Sequence, residues 1–435
     1  MSLTRSIPVR LSVLFCAMLA VVLSMLPGSV EARATASASP DSPDVTLDLQ
    51  SDGLVSKATV PLTDTAGTAA RNASGETLTR RMSTSTFSQV AVTWQGADPE
   101  ASVRVRRHGD WSGWMDLEAL GDGPEKSSTE ARRAVHQGAS DLVWVGPADG
   151  VQVRSGNARS RDLELVLIDP GKASSDHART LSVTESNKAE RTAAARVRAA
   201  AKAAKAGRAD ATRKSAARSL VTARAVTKGH APRPNLNSRA KWNPDPRKLN
   251  GTPVYMKRLK QVHIHHTASS NNYSRADVPR LIRGMYNYHT DSLGWFDIGY
   301  NFLVDKFGRV WVGRSGGAHR LVRGAHTLGF NHKSVGIAMI GNFEATKPPR
   351  VARTAIVKLA AWKLGMNGKT LATGRVRITS KGSDRFRSGT TVSLPRIDGH
   401  RDTNETACPG QKLYDKLPVI RKRTQKRLDK YAVPQ

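Results

Sequence analysis

The chain has 435 residues, enough for two or three domains of ordinary size. Hydrophobic residues make up 39% and aromatic residues 5%, which permits packed cores but implies that some stretches lie outside them. A formal net charge of +32 calls for an anionic partner, whether nucleic acid, membrane surface or wall polymer, and says nothing about fold.

Residues 1–32 read as a cleaved secretory signal. Arg5 and Arg10 form a basic start, an apolar run follows from Leu11 to Leu26, and Val30-Glu31-Ala32 is a small-residue exit. The run is about 16 residues, short of the roughly 20 that a span needs, so no stable membrane anchor is expected. The only cysteines are Cys16 and Cys408. Cleavage leaves Cys408 alone and excludes an internal disulfide. What remains is a free thiol, an intermolecular bridge, a nucleophile or a metal ligand.

Residues 33–83 are rich in Ala, Ser, Thr, Asp and Gly and read as a flexible mature N-terminus with little packing. From 84 to 170 short alternating runs appear, among them Phe87 to Trp94, Ala101 to Arg106, Leu142 to Val145, Val151 to Arg154 and Leu163 to Ile168. Period-two runs separated by turn residues predict an antiparallel, sandwich-like all-β domain; wall binding is one role open to it, and the runs do not decide it. Trp111, Trp114 and Trp144 are expected to pack its core rather than to line a sugar face.

Residues 171–231 form an Ala/Lys/Arg-rich basic linker. Between Asn187 and His230 there are 12 Lys and Arg against 2 Asp and Glu. The tract has no Phe, Tyr or Trp for base stacking and no reading motif, which argues against nucleic acid. Together with export, it points to an anionic wall polymer and to a solvated tether.

From 232 to 428 the pattern is α/β, with a central mixed sheet flanked by helices expected, before a short tail at 429–435. Ser274 to Asp277 reads as a helix cap. Val278, Leu281, Ile282, Met285 and Tyr286 then share one helical face. Tyr300 to Val304 and Val310 to Val312 read as a hairpin around Asp305-Lys-Phe-Gly308. Val335 to Ile340 reads as a buried strand. Arg353 to Leu364 and Leu413 to Leu428 read as helices, the second interrupted near Pro418, and 367–394 as an inserted hairpin.

The candidate chemistry lies at both ends of this region. In Gln261-Val-His-Ile-His-His-Thr267, strand alternation puts His263 and His265 on one face and His266 on the other. Far downstream come Asp398-Gly-His-Arg-Asp402 and Thr406-Ala-Cys-Pro-Gly410. A loop folding back can bring His400 and Cys408 to one point. Two imidazoles and a thiolate suit Zn²⁺, and three protein ligands leave a fourth position for water. Periodicity does not choose which of the three neighbouring histidines takes part.

Six ordered blocks carry a resemblance: Asn237 to Trp242, Ile264 to Ala268, Gly294 to Phe302, Gly324 to Thr327, Ser334 to Phe343, and Gly399 to Asp402 with Ala407 to Gly410. The region 232–428 resembles the amidase domain shared by peptidoglycan-recognition proteins and the phage-lysozyme type of N-acetylmuramoyl-L-alanine amidase. Residues 84–168 are similar to the β domain of some actinobacterial members. The resemblance implies zinc ligands at His265, His400 and Cys408. It also implies a Tyr300 that contacts the activated water, a Thr406 where phage enzymes carry lysine, and a His326 near the substrate; either Thr406 or His326 would then join the zinc in stabilising the oxyanion. It implies a secreted hydrolase acting on peptidoglycan at the cell wall, cutting between N-acetylmuramic acid and L-alanine. Non-catalytic recognition proteins of the family typically lack the cysteine.

Overall fold

The computed structural model describes residues 45–62, 69–71, 76–136, 138–157, 159–177, 230–369 and 371–432. The expected signal segment, most of the basic linker (178–229) and the last three residues lie outside the described residues. Among the described residues no helix is long and apolar enough to cross a membrane.

The N-terminal part is built from strands, the main ones being Val55–Pro61 (β1), Met82–Gly96 (β2), Ala101–Arg107 (β3), Val143–Ser155 (β4) and Ser160–Asp169 (β5). Antiparallel partners β5 and β4 flank β2, with Leu165 opposite Val92 and Val143 opposite Val90. Strand β3 extends the sheet from β4. Alternation divides the strands cleanly. Val90, Val92, Leu165 and Leu167 point into the β domain's own core. Ala91, Val166 and Ile168 point to the opposite face, into a second core that includes helix residues from the C-terminal part. Two covered faces explain why Phe87 to Trp94 is buried throughout.

Two expectations are corrected here. The stretch 33–83 is not loosely packed where it is described. Val45–Leu47 pairs with β2, β1 pairs with β5, and Leu47, Val55 and Val60 are buried. Its apolar residues are sparse, but Ala58, Val60 and Leu62 fall at alternate positions and are buried. Trp111 and Trp114 do not pack the core either. Each is only half-buried, with the guanidinium groups of Arg104 and Arg106 over Trp111 and those of Arg104 and Arg154 over Trp114. Trp144 is buried, but in the core shared with helix residues of the C-terminal part rather than in the β domain's own.

The C-terminal part has a six-stranded mixed sheet. Gln261–His266 (β6), Phe302–Val304 (β7), Val310–Val312 (β8), Ser334–Met339 (β9) and Ile397–Gly399 (β10) run in the order Leu236–Asn237, β8, β7, β9, β6, β10. Only β7 and β8 are antiparallel; the other pairs are parallel. The β7–β8 turn is closed by Asp305, whose Oδ1 accepts from the backbone N–H groups of Phe307 and Arg309.

Helix α1 (Asp277–Asn287) is capped by a Ser274–Asp277 exchange, in which each side chain bonds the other's backbone N–H. Its stripe of Val278, Leu281, Ile282, Met285 and Tyr286 packs against the outer face of the β domain. Burying such a side chain contributes about 1.5–3 kcal/mol, so this stripe joins the two parts firmly. On the other side of the sheet lie α2 (Arg350–Gly365) and α3 (Leu417–Tyr431). Pro418 sits in the first turn of α3, where the ring costs no internal hydrogen bond. The expected insertion is a separate two-stranded hairpin, Arg375–Thr379 with Thr391–Pro395.

Buried polar contacts also join the parts. Arg283 donates to Asp176, Pro170 O and Trp242 O. Trp144 N–H donates to Ser269 Oγ at 2.7 Å, and Tyr288 donates to Ser140 O at 2.9 Å. The β-domain connection 117–136 runs across the C-terminal ends of the parallel strands, where ligand sites of open α/β sheets lie.

Candidate metal centre

The site begins at the end of β6. Parallel pairing with β10 sets Ile264 opposite Gly399, so His265 and His400 emerge side by side from the same sheet end. Their ring centroids are 4.6 Å apart. A loop after His400 then folds back. Thr403 Oγ1 donates to His400 O, Cys408 N–H donates to Thr406 Oγ1, and Arg401 N–H donates to Cys408 O. Gly410 closes the loop at φ +83°, and a Cβ there would meet the Phe343 backbone at 2.4 Å. Only glycine satisfies both conditions.

The result brings His265, His400 and Cys408 together, all buried, with one donor atom of each within 4.8 Å of the others. Cys408 Sγ lies 3.7 Å from His265 Nδ1. In a tetrahedral zinc site with Zn–N of about 2.0 Å and Zn–S of about 2.3 Å, that edge is about 3.5 Å. The donor set, two imidazoles and a thiol, therefore fits a zinc ion in type and spacing. Burial holds the imidazole of His265 well below the ordinary histidine range and that of His400 down at about 3, so both are neutral and free to bind metal. Burial pushes the Cys408 thiol up, so a cation is needed to take its proton's place. Cys408 Sγ already accepts from His266 N–H at 3.4 Å, which favours the thiolate.

The neighbouring histidines take other positions. His266 points to the opposite side, where its Nδ1 accepts from Phe343 N–H at 3.2 Å. His263 lies deeper on the His265 face, its Nδ1 2.7 Å from Asp398 Oδ1.

Tyr300 is buried, its ring 5.4 Å from that of His265. Burial raises its phenol well above the ordinary range, so it stays a proton donor. Thr406 lies at the rim and uses its oxygen to accept from Cys408 N–H. His326 lies beside His265. It is fully buried, with Nδ1 3.1 Å from His265 Nε2, on the side of that ring away from Cys408. Two glycines make room for it: a Cβ at Gly324 or Gly336 would lie 2.3 or 2.4 Å from the His326 ring.

One group was missed from sequence. Asp122, in the connection 117–136, reaches from the β domain into this cluster. Its Oδ1 is 3.5 Å from His265 Nδ1 and 3.4 Å from His400 Nδ1, and the carboxyl is hydrogen-bonded to the Tyr300 hydroxyl. Burial raises its pKa well above the ordinary carboxylate range. The only sequence signal is indirect: a stretch of some twenty residues without alternation inside a β domain, longer than an ordinary hairpin loop.

Comparison with known proteins matches residues 255–411 to the family model "N-acetylmuramoyl-L-alanine amidase". Residues 50–192 match "Rv3811 N-terminal galactose-binding domain-like". Over 161 residues the chain is 33% identical to peptidoglycan-recognition protein SC2 of Drosophila simulans, covering 37% of this chain and 72% of that protein. It is 32% identical over 193 residues to a human N-acetylmuramoyl-L-alanine amidase, covering 42% of this chain and 28% of that protein. The solved structure of wild-type Drosophila PGRP-LB is 28% identical, covers 42% of this chain and 91% of its own, and has a TM-score of 0.33.

Proposed function

Since this chain belongs to the family of peptidoglycan-recognition proteins and N-acetylmuramoyl-L-alanine amidases, we propose that it is a zinc-dependent amidase. Its substrate is peptidoglycan, and the bond it cuts joins the lactyl group of N-acetylmuramic acid to L-alanine. The observation that carries this reading is Cys408, the third donor beside His265 and His400. Two imidazoles and a thiolate form a set that holds zinc with a corner to spare, whereas binding peptidoglycan without cutting it needs no such set.

His265, His400 and Cys408 would hold the ion, which supplies Lewis acidity when bound. The remaining work falls to the chain. His326 fixes the ring of His265 through its second nitrogen, as orienting partners of metal-ligating histidines do. Tyr300 keeps its proton at Oη and can pass it toward the leaving alanine nitrogen. Thr406, at the rim, holds a hydroxyl near the scissile carbonyl and braces the Cys408 loop.

The N-terminal segment 1–32 would export the protein. The basic tract within 171–231 would tether it to anionic wall polymers, and the β domain would add wall contact, leaving 232–428 as the catalytic part. The test is direct: zinc content of the purified full chain, with mass spectrometry of digested muropeptides. About one zinc per chain and free stem peptides beginning with alanine are expected. Binding to peptidoglycan with neither zinc nor released peptide would leave a recognition protein.

A further inference from the structure

We propose that Asp122, carried by the β domain, is a fourth ligand of this metal centre, and that the connection 117–136 holds the centre in a closed, latent form. The inference rests on the metal site proposed above.

Geometry is the first argument. In a tetrahedral site with bonds of about 2.0–2.1 Å, nitrogen and oxygen ligands stand about 3.3–3.4 Å apart. Asp122 Oδ1 lies 3.5 and 3.4 Å from the Nδ1 atoms of His265 and His400. These are the spacings that a shared ion would impose between that oxygen and the two imidazoles, and His265 Nδ1 lies 3.7 Å from Cys408 Sγ.

The second argument is the state of that oxygen. The Asp122 side chain is 4% exposed, and its Oδ1 is buried without a hydrogen-bond partner. A buried carboxyl oxygen aimed between two imidazole nitrogens, with no hydrogen bond of its own, is costly unless a cation sits among them. The carboxyl's hydrogen bond is to the Tyr300 hydroxyl, the group expected to serve the reaction.

The third argument is that the delivery is built. Gly121 passes so close that a Cβ there would be 3.2 Å from the His400 ring and 3.3 Å from Thr406. Beyond Asp122, the segment is fastened to loops of the α/β part. Gly123 O accepts from Asn331 Nδ2 at 2.8 Å, and Glu125 accepts from His332 N–H at 3.1 Å. Glu130 accepts from Arg314 at 2.5 and 2.6 Å and from Phe296 N–H at 3.0 Å. With the strap in place His265, His400, Cys408 and Tyr300 are all buried, and a glycan strand does not reach them. Turnover of a polymer therefore requires the strap to leave.

The experiment uses the full chain, wild type, Asp122→Ala and the near-isosteric Asp122→Asn. Zinc affinity is read by chelator competition, and the coordination sphere by the visible spectrum after cobalt substitution. Release of stem peptides is measured alongside. Both variants are expected to bind zinc about tenfold or more weakly, to change the cobalt spectrum and to cut peptidoglycan faster than wild type. Hydrogen exchange of 117–125 in the wild type gives a readout that needs no variant: zinc should slow it and a chelator should speed it. Equal zinc affinity with an unchanged cobalt spectrum, or exchange that ignores zinc, overturns the proposal. Variants that keep the metal but lose hydrolysis overturn it too, and make Asp122 a group of the reaction. If no protein binds metal at all, the proposed function falls together with this inference.

Discussion

The Nε2 of His265 lies 3.1 Å from the Nδ1 of His326, so the ring whose Nδ1 faces Cys408 is held from behind by a second imidazole. Such a partner sets the tautomer and the angle of a ligand without touching substrate. His326→Ala should therefore weaken zinc binding about 10–100-fold, measured by chelator competition. Unchanged affinity with slowed hydrolysis would return His326 to the substrate side.

Cys408→Ser replaces a thiolate donor by a neutral hydroxyl. Zinc retention and hydrolysis should both fall by at least about tenfold, read by metal analysis after dialysis and by muropeptide release. Full turnover in this variant would remove Cys408 from the site.

Tyr300→Phe removes one hydroxyl from a buried ring and leaves the three donors in place. Hydrolysis should drop by about 10²–10⁴-fold, the usual worth of a positioned proton donor, with zinc content unchanged. Loss of zinc instead would give Tyr300 a structural part.

Glu130 and Arg314 form an ion pair with side chains only 3% and 5% exposed. Glu130→Gln leaves the guanidinium buried without its countercharge. A loss of about 3–5 kcal/mol in unfolding free energy is expected from denaturant titration. A change below about 1 kcal/mol would mean that the guanidinium reaches solvent once the pair is broken.

His289 gives a pH dependence away from the metal ligands. It stacks on Trp295, and its Nδ1 accepts from Gly299 N–H, next to Tyr300. Burial, and then the Arg314 guanidinium, hold it at about 3 against an ordinary value of 6.5. The unfolded chain thus takes up this proton first. Stability is complete above pH 6.5 and is lost progressively as the pH falls through 6.5 toward 3. His289→Gln, which keeps an acceptor but does not titrate, should flatten the denaturant-midpoint profile in that window. An unchanged profile would show that His289 is already charged in the fold.

Much of the α/β part was legible because its signals are local. Alternation separated His265 from His266, and the stripe from Val278 to Tyr286 marked a helix with one buried face. The Asp305 to Gly308 turn marked a hairpin. The coming together of His400 and Cys408 was legible only as an eligible loop, since a gap of eight residues has no fixed direction. What stayed hidden was relational. Ala91 and Val166 look like any inward strand residues, yet they face a helix of the other part. The His326 position depends on space left by Gly324, two residues before it, and by Gly336 on β9. Asp122 follows Gly121 in an irregular stretch whose local sequence carries no ligand spacing. Its place is set by contacts through Gly123, Glu125 and Glu130 with residues some two hundred positions away.

The reaction itself is tested most directly by isotope. Zinc-loaded wild type and Asp122→Ala would each digest purified muropeptides in water enriched in ¹⁸O, with the products read by mass spectrometry. Cleavage of the lactyl–alanine amide puts one ¹⁸O in the new lactyl carboxylate of the sugar and none in the released stem peptide, with Asp122→Ala the faster of the two. Label in the peptide, label at a glycosidic carbon, or intact muropeptides with both proteins would contradict the assignment.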